Sequence, residues 1–95
     1  MTLTLTAHIY AKQGTVDLVK EELIKLVEPS RAESGCIQYD LHQDKENATH
    51  FMFFEKWNSR EQLDEHTRTP HFKSFQKDIE GLVERIAFYE MDKVA

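Results

Sequence analysis

The sequence predicts an α+β fold of ferredoxin-like type, in which a four-stranded antiparallel sheet carries its helices on one face. Three observations lead to this prediction. Four segments have strand periodicity, two have helical periodicity, and together they follow the order β-α-β-β-α-β. A polar segment of hairpin length joins the second and third strands, which makes them antiparallel neighbours. Residues 1–95 give enough length for one domain and too little for two.

The first strand is predicted from Thr2 to Ala11, because apolar and polar side chains alternate along it. Thr15 follows as the expected N-cap of the first helix, and Asp17 places a negative charge in its first turn. Pro29 is expected to weaken this helix, and a last turn as far as Glu33 stays open. The helix carries one apolar stripe, formed by Val16, Val19, Leu23, Ile24, Leu26 and Val27.

The second and third strands are predicted from Cys36 to Gln43 and from His50 to Trp57. The third strand differs from the others because Phe51 and Phe53 make one face apolar while Met52 and Phe54 make the other apolar. The helices can cover only one of these faces, so we expect a second subunit on the other. The chain is therefore predicted to form a homodimer.

The second helix is predicted in two pieces. Ser59 and Gln62 have the spacing of a capping box, which starts the first piece. Thr69 and Pro70 then supply the cap and the first residue of the second piece. The second piece has a core face formed by Phe72, Phe75, Ile79 and Leu82, and the alternating segment from Arg85 to Met91 is the fourth strand.

Composition and charge exclude several classes of partner. The hydrophobic content of 40% and the charged content of 31% are ordinary for a globular protein. The net charge is −5 and no Lys/Arg stripe is present, so we expect neither nucleic acid nor a membrane as partner. The only cysteine is Cys36, which excludes an intrachain disulfide and fits a cytoplasmic setting.

Two titratable residues are the candidates for catalysis. Glu55 shares a strand face with aromatic side chains, so it must hydrogen-bond, pair with Arg68 or Arg85, or line a wet cavity; a partly exposed position near the strand end stays the alternative. His66 lies on the inward stripe of the short helix, where an aliphatic residue is expected. A core histidine bound to a carbonyl is the alternative, and the helix break beside it favours a pocket.

The remaining chemistry is sparse. Cys36 has no basic cluster or helix N-terminus to activate it, and the three glycines are too scattered for a phosphate loop. No two histidines have the i, i+4 spacing of a helical metal site, and His66 and His71 lie five apart across a proline. We therefore predict no metal and no cofactor, although a metal site assembled from different strands stays open.

Four groups of residues carry a resemblance to a known family: Gly35 to Tyr39, Phe53 to Trp57 with Ser59, Leu63 with His66, and Thr69 to Phe72. They resemble the antibiotic biosynthesis monooxygenase (ABM) family over nearly the whole chain. The resemblance implies homodimers in which two ferredoxin-like sheets form a shared α+β barrel. It also implies oxidation of a small aromatic or quinol-type substrate by molecular oxygen, without metal, flavin or other prosthetic group.

The resemblance further implies roles for individual residues. His66 or Glu55 would be the catalytic base in a dry pocket, and the rings of Trp57, Tyr39 and Phe72 would stack on the substrate. Phe53 and His71 complete the predicted substrate-binding set.

Other members of the family leave alternatives open. Trp57 and His66 resemble residues of haem-degrading relatives, although the first strand lacks the asparagine found there. His66 and the Thr69-Pro70-His71 sequence resemble isomerases of a phosphorylated autoinducer, for which Arg31, Arg68 and Lys73 are the loose phosphate contacts. A non-catalytic dimer that binds a small aromatic molecule fits the same pattern.

Overall fold

The computed structural model describes residues 2–95 and confirms the ferredoxin-like fold. The elements follow the predicted order, with the second helix divided in two. Their bounds are β1 Leu3–Ala11, α1 Val16–Arg31, β2 Cys36–Gln43, β3 His50–Trp57, α2 Arg60–His66, α3 Pro70–Ile79 and β4 Val83–Met91.

The sheet has the strand order β2-β3-β1-β4, and all neighbouring strands are antiparallel. Alternate residues of the two central strands are buried, which places one face of the sheet under the helices. The core joins that face to the apolar stripes of α1 and α3, and its largest members are Trp57, Tyr39, Phe51, Phe53, Ile9 and Leu23. None of the helices within residues 2–95 is long and apolar enough to cross a membrane.

One expectation for α1 is corrected, and the helical turn after Pro29 that the sequence left open is present as far as Arg31. Thr15 occupies the N-cap position, but its hydroxyl makes no cap and instead donates to the carbonyls of Lys12 and Leu82, each at 2.7 Å. The hydroxyl therefore fastens the start of α1 to the segment that leads into β4. Pro29 lies inside the helix, which continues to Arg31, because a proline near the end interrupts few backbone hydrogen bonds.

Side-chain caps fix the starts of α2 and α3, and the second cap lies at the break between the two helices. The Ser59 hydroxyl accepts from the backbone N–H of Gln62 at the start of α2. The Thr69 hydroxyl accepts from the backbone N–H of Phe72 and also donates to the carbonyl of His66 at 2.7 Å. Thr69 thus ties the last turn of α2 to the first turn of α3, so the break is a rigid corner.

The face of the sheet opposite the helices is half apolar and half polar. Phe54 and Met52 of β3 are half-buried there. The side chain of His50 is only 20% exposed and is held by Asp44 at 3.0 Å and His8 at 2.8 Å. The register pairs His8 with Met52, two residues from His50, so the two imidazoles lie diagonally on the same face.

Candidate active site

His66 lies in the last turn of α2 and is almost fully buried, with 2% of its surface exposed. Three aromatic rings surround it. The ring centroids of Trp57, Phe72 and Tyr39 lie 4.6, 4.9 and 5.5 Å from the imidazole centroid. These contacts fix the plane of the imidazole, so its two nitrogens face defined directions.

Glu33 holds one of those nitrogens. A carboxylate oxygen of Glu33 lies 2.7 Å from Nδ1 of His66, and the same oxygen lies 2.7 Å from Nε2 of His71. A carboxylate only accepts hydrogen bonds, so both ring nitrogens carry the protons. This Glu33–His66–His71 cluster joins the loop after α1 to the corner between α2 and α3.

The cluster sets the state of His66. Burial is the largest effect and lowers the pKa of His66, and His71 lowers it further, while the hydrogen bond and charge of Glu33 raise it. The imidazole is therefore neutral near pH 7, with its proton on Nδ1 and a lone pair on Nε2. Nε2 of His66 makes no hydrogen bond with any residue between 2 and 95. A fixed neutral imidazole with a free nitrogen is suited to accept a proton.

Glu55 is the second titratable group of the site and is 3% exposed. The indole N–H of Trp57 donates to its carboxyl group at 3.0 Å, and no base pairs with it among the described residues. Burial raises the pKa of Glu55 to about 7, the Trp57 hydrogen bond opposes this shift, and the charge of Glu33 adds to it. Near neutral pH, Glu55 is therefore present both as the neutral acid and as the carboxylate.

A cavity of about 200 Å³ lies between the sheet and the corner of α2 and α3. Three neighbouring strands form its floor. Leu5 of β1 lies there between its two cross-strand partners, Glu55 of β3 and Glu90 of β4. The lining is mostly apolar and contains Leu5, Glu55, Arg60, Leu63, Asp64, His66, Thr67, Phe72, Phe88 and Glu90. A second cavity of about 20 Å³ borders it, shares Glu55, Phe72 and Phe88, and reaches Tyr39 and Phe53.

The mouth of the cavity carries an ion pair. Arg60 at the start of α2 contacts Glu90 of β4, and both line the cavity. Phe88 lies beside them and is 59% exposed. The other polar residues of the lining are half-buried or exposed, so Glu55 and His66 are its only fully buried polar groups among the described residues.

Residues 2–78, which are most of the chain, match the family model described as antibiotic biosynthesis monooxygenase. The chain belongs to the antibiotic biosynthesis monooxygenase family. The family resemblance stated from the sequence is thereby confirmed.

Solved structures and curated relatives agree with this assignment. A crystal structure from Pseudomonas aeruginosa superposes with a TM-score of 0.95 at 39% identity, and the match covers 99% of this chain and 95% of that one. A Bacillus subtilis protein named "Putative monooxygenase YcnE" is 34% identical over 73 residues, which is 77% of each protein. An uncharacterized Synechocystis protein is 40% identical over 80 residues, and the match covers 80% of this chain and 54% of that protein. The chain thus spans about half the length of the Synechocystis relative.

Within this ABM-family chain, the predicted site residues are not all brought to the cavity. Glu55, His66 and Phe72 line the main cavity, while Tyr39 and Phe53 line the small one. Trp57 is fully buried and lines neither, because its ring lies behind His66 and its N–H is committed to Glu55. His71 lies on the far side of His66, where it binds Glu33.

Two alternatives from the sequence are also settled. The partly exposed position for Glu55 is wrong, as is its pairing with Arg85, which lies over the ring of Tyr10 at 4.2 Å. The carbonyl expected as a partner for a core His66 is replaced by the carboxylate of Glu33. Sequence reasoning missed Glu33, since it lies 33 residues before His66 and belongs to no local pattern.

The ABM fold brings Glu33 to His66 through a close contact of two segments. The carbonyl of Gly35 accepts from the backbone N–H of Asn58 at 2.9 Å. A Cβ atom at Gly35 would collide with the side chain of Gln62 in α2. Only glycine lets the loop that carries Glu33 approach α2 this closely.

Other features of the chain do not compete as active sites. Burial raises the pKa of the Cys36 thiol to about 11, which leaves it protonated and unreactive near pH 7. A groove of about 470 Å³ lies open between α1 and the edge strand β2. Arg31 lines it, but none of the predicted catalytic or substrate-binding residues does.

Proposed function

We propose that this ABM-family protein is a monooxygenase that oxidises a small phenol or quinol with molecular oxygen and needs no prosthetic group. The observation that carries the proposal is the neutral, buried imidazole of His66, held through Nδ1 by Glu33 at the wall of a mostly apolar cavity. The names of the relatives support oxygenase chemistry in general.

The first step is removal of a phenolic proton. Nε2 of His66 accepts that proton, and the imidazolium is stabilised by the Glu33 carboxylate that already holds Nδ1. The aromatic anion left in the cavity is electron-rich, and the apolar walls give it no competing solvation.

The second step is reduction of oxygen by the substrate anion itself. One electron passes to dioxygen, and the resulting superoxide and aryloxyl radical join at a ring carbon that bears hydrogen. The peroxide gains a proton from Glu55, then loses the ring hydrogen as a proton and its outer oxygen as hydroxide, which leave together as water and give a carbonyl. The proton held by His66 returns to Glu55. The balance for a phenol is one dioxygen consumed, one oxygen in the quinone and one in water.

Glu55 is assigned as the acid of this second step. Its raised pKa of about 7 leaves a carboxylic acid available to protonate the peroxide while His66 acts as base. Two groups whose surroundings push their pKa values apart are a common arrangement for acid and base roles. Trp57 does not touch the substrate in this account and orients the Glu55 carboxyl through its N–H.

The cavity volume limits the substrate. A dry cavity of about 150 Å³ can hold a benzene molecule, so about 200 Å³ accommodates one substituted ring. Polycyclic substrates would need the cavity to open at its mouth, where Arg60 contacts Glu90. We therefore assign a single-ring phenol or quinol as the substrate class.

The haem and phosphate alternatives are less well supported. Sites for drug-sized ligands begin near 300 Å³, so the cavity is too small to enclose haem. Of the basic residues proposed as phosphate contacts, none lines the cavity, and Arg31 is bound to Asp40 at 3.1 Å. The Arg60 guanidinium at the mouth is already neutralised by Glu90.

We also infer that two copies pack through the open faces of their sheets. Phe54 and Met52 are half-buried on that face, and about half of the Tyr89 and Met91 side chains is exposed. The hydroxyl of Thr6 on the same face is buried without a hydrogen-bond partner among residues 2–95. A second copy would cover this apolar strip and could satisfy that hydroxyl.

The experiment that tests the function is labelling with ¹⁸O₂. Metal-free protein is incubated with a set of single-ring phenols and quinols, and the masses of the products are measured by mass spectrometry. Samples without protein are the control. One labelled oxygen in a protein-dependent product supports the proposal. Tight binding of the same compounds without any product would refute it in favour of a binding protein.

A further inference from the structure

The Glu33–His66–His71 cluster has the chemistry of a metal site. One carboxylate oxygen and two imidazole nitrogens lie within 4.8 Å of one another. Two histidines and one carboxylate form a ligand set that binds Zn²⁺ and related divalent metals, with water in the remaining positions. The cluster shares His66 with the cavity, while Glu33 and His71 are not among the residues that line it.

The three ligands are held before any ion binds. His66 ends α2 and His71 begins α3, and Thr69 clamps the two helices at the corner between them. Glu33 lies on a loop whose distance from α2 is fixed by the Gly35 contact. Little conformational entropy remains to be lost when a metal binds, which favours affinity.

An ion can reach the cluster from the surface. The side chains of His66, Glu33 and His71 are 3%, 15% and 23% exposed, so the cluster is open on the side of His71. His71 lines a further cavity of about 150 Å³ between α1 and α3, together with Glu22, Asp78 and Lys25. Lys25 is neutralised by Glu22 at 3.0 Å, so the approach to the cluster is net negative.

The three ligand atoms need only modest shifts to reach the spacing of a zinc site. The two N···O separations are 2.7 Å, as in hydrogen bonds. Ligand atoms bound to a tetrahedral Zn²⁺ at about 2.0–2.2 Å are about 3.4 Å apart. Each N···O pair therefore opens by less than 1 Å when an ion replaces the protons, and the two ring nitrogens, which lie within 4.8 Å of each other, close toward about 3.4 Å.

We propose that Glu33, His66 and His71 bind one divalent metal ion of the zinc type, and that the ion switches off His66 as a base. A metal at Nδ1 of His66 needs the lone pair of that nitrogen, so the proton moves to Nε2. His71 changes tautomer in the opposite direction, from Nε2 to Nδ1, and no net proton is released from two neutral rings. With Nε2 protonated, His66 can no longer accept a proton from the substrate; this second half rests on the proposed function.

Calorimetric titration of metal-free protein with ZnCl₂ tests the site. We expect one Zn²⁺ per chain, and affinity lowered about 100-fold or more in both Glu33→Gln and His71→Ala. His8→Ala is the matched control, because it removes a histidine from the other imidazole pair, on the opposite face. Unchanged affinity in the two cluster variants, or a loss in His8→Ala instead, would overturn the proposal.

The tautomer switch is read directly by ¹⁵N NMR of the wild-type imidazoles, which needs no activity. We expect the proton of His66 on Nδ1 without zinc and on Nε2 with zinc, and an unchanged Nδ1–H tautomer at saturating zinc would refute the switch. With a quinol substrate, zinc should inhibit oxygen uptake by the wild type, and a chelator should restore it. Zinc should inhibit oxygen uptake by His71→Ala much less. Absence of turnover would count against the proposed function alone, since titration and NMR still decide the metal site.

Discussion

The ionisation of Glu55 gives the sharpest stability prediction, and Glu55→Gln is the perturbation that tests it. Glutamine has nearly the shape of the protonated acid, and its amide oxygen can still accept the Trp57 N–H that now lies 3.0 Å from the carboxyl. The variant therefore mimics Glu55 in its neutral form at every pH. Any difference from wild type reports the cost of the buried charge.

The magnitude follows from the pKa of Glu55, which is about 7 in the folded protein and 4.5 as the ordinary value. Between these values the folded chain binds a proton that the unfolded chain has released, so the stability of the wild type falls as pH rises. About 2.5 pH units at about 1.36 kcal/mol each amount to about 3 kcal/mol. Since Glu55 is 3% exposed, solvent screening removes little of this value.

The assay is urea unfolding of both proteins at pH 4.5, 6, 7 and 8. We expect nearly equal free energies of unfolding at pH 4.5, and Glu55→Gln to be more stable by about 3 kcal/mol at pH 8. Glu21→Gln is the control, because Glu21 is an exposed residue of α1 and its substitution removes the same side-chain charge from the surface instead of the interior. A constant difference between wild type and Glu55→Gln across this range would refute the account of Glu55.

Three further predictions concern the residues that position the site and the proposed interface. Glu33→Gln should lower kcat by about tenfold or more with little change in KM, because the Nδ1–H tautomer of His66 is no longer enforced. Steady-state oxygen uptake measures both constants, and an unchanged kcat would contradict this prediction. Gly35→Ala should lower the free energy of unfolding by about 1–3 kcal/mol, because its Cβ collides with Gln62, and equal urea midpoints would show that α2 can move freely. Phe54→Lys should give monomers in sedimentation at micromolar concentration where the wild type gives dimers, and a monomeric wild type would end the proposal that the sheets pack together.

The fold could be predicted because its signals are local. Alternation in the strands, the capping box at Ser59 and the Thr69-Pro70 break each specify structure within a few residues, and the structure has all of them. The error at the start of α1 has a long-range cause. Thr15 has the residue type of an N-cap, but the sequence does not reveal that the carbonyl of Leu82, 67 residues later, takes its hydroxyl.

The site was predictable only where a residue is unusual for its own segment. Glu55 and His66 stand out because a polar residue occupies an inward position, and both line the cavity. Glu33 gave no such signal, since an acidic residue in a loop is ordinary and its partner is 33 residues away. His66 and His71 were too far apart in sequence for a helical metal site, but the corner at Thr69 brings their ring centroids within 6.0 Å. Spacing rules that assume one continuous helix fail at such a corner.

The central claim is that His66 acts as the base of an oxygenation reaction, and His66→Asn tests it most directly. The asparagine amide can place its N–H near the former Nδ1 and keep the hydrogen bond to Glu33, while the accepting nitrogen is lost. The measurement is the initial rate of oxygen uptake by metal-free wild type and variant with the same single-ring quinol, after circular dichroism has shown that both are folded. We predict a rate at least about 100-fold lower in the variant. A folded variant that consumes oxygen at the wild-type rate would contradict the account.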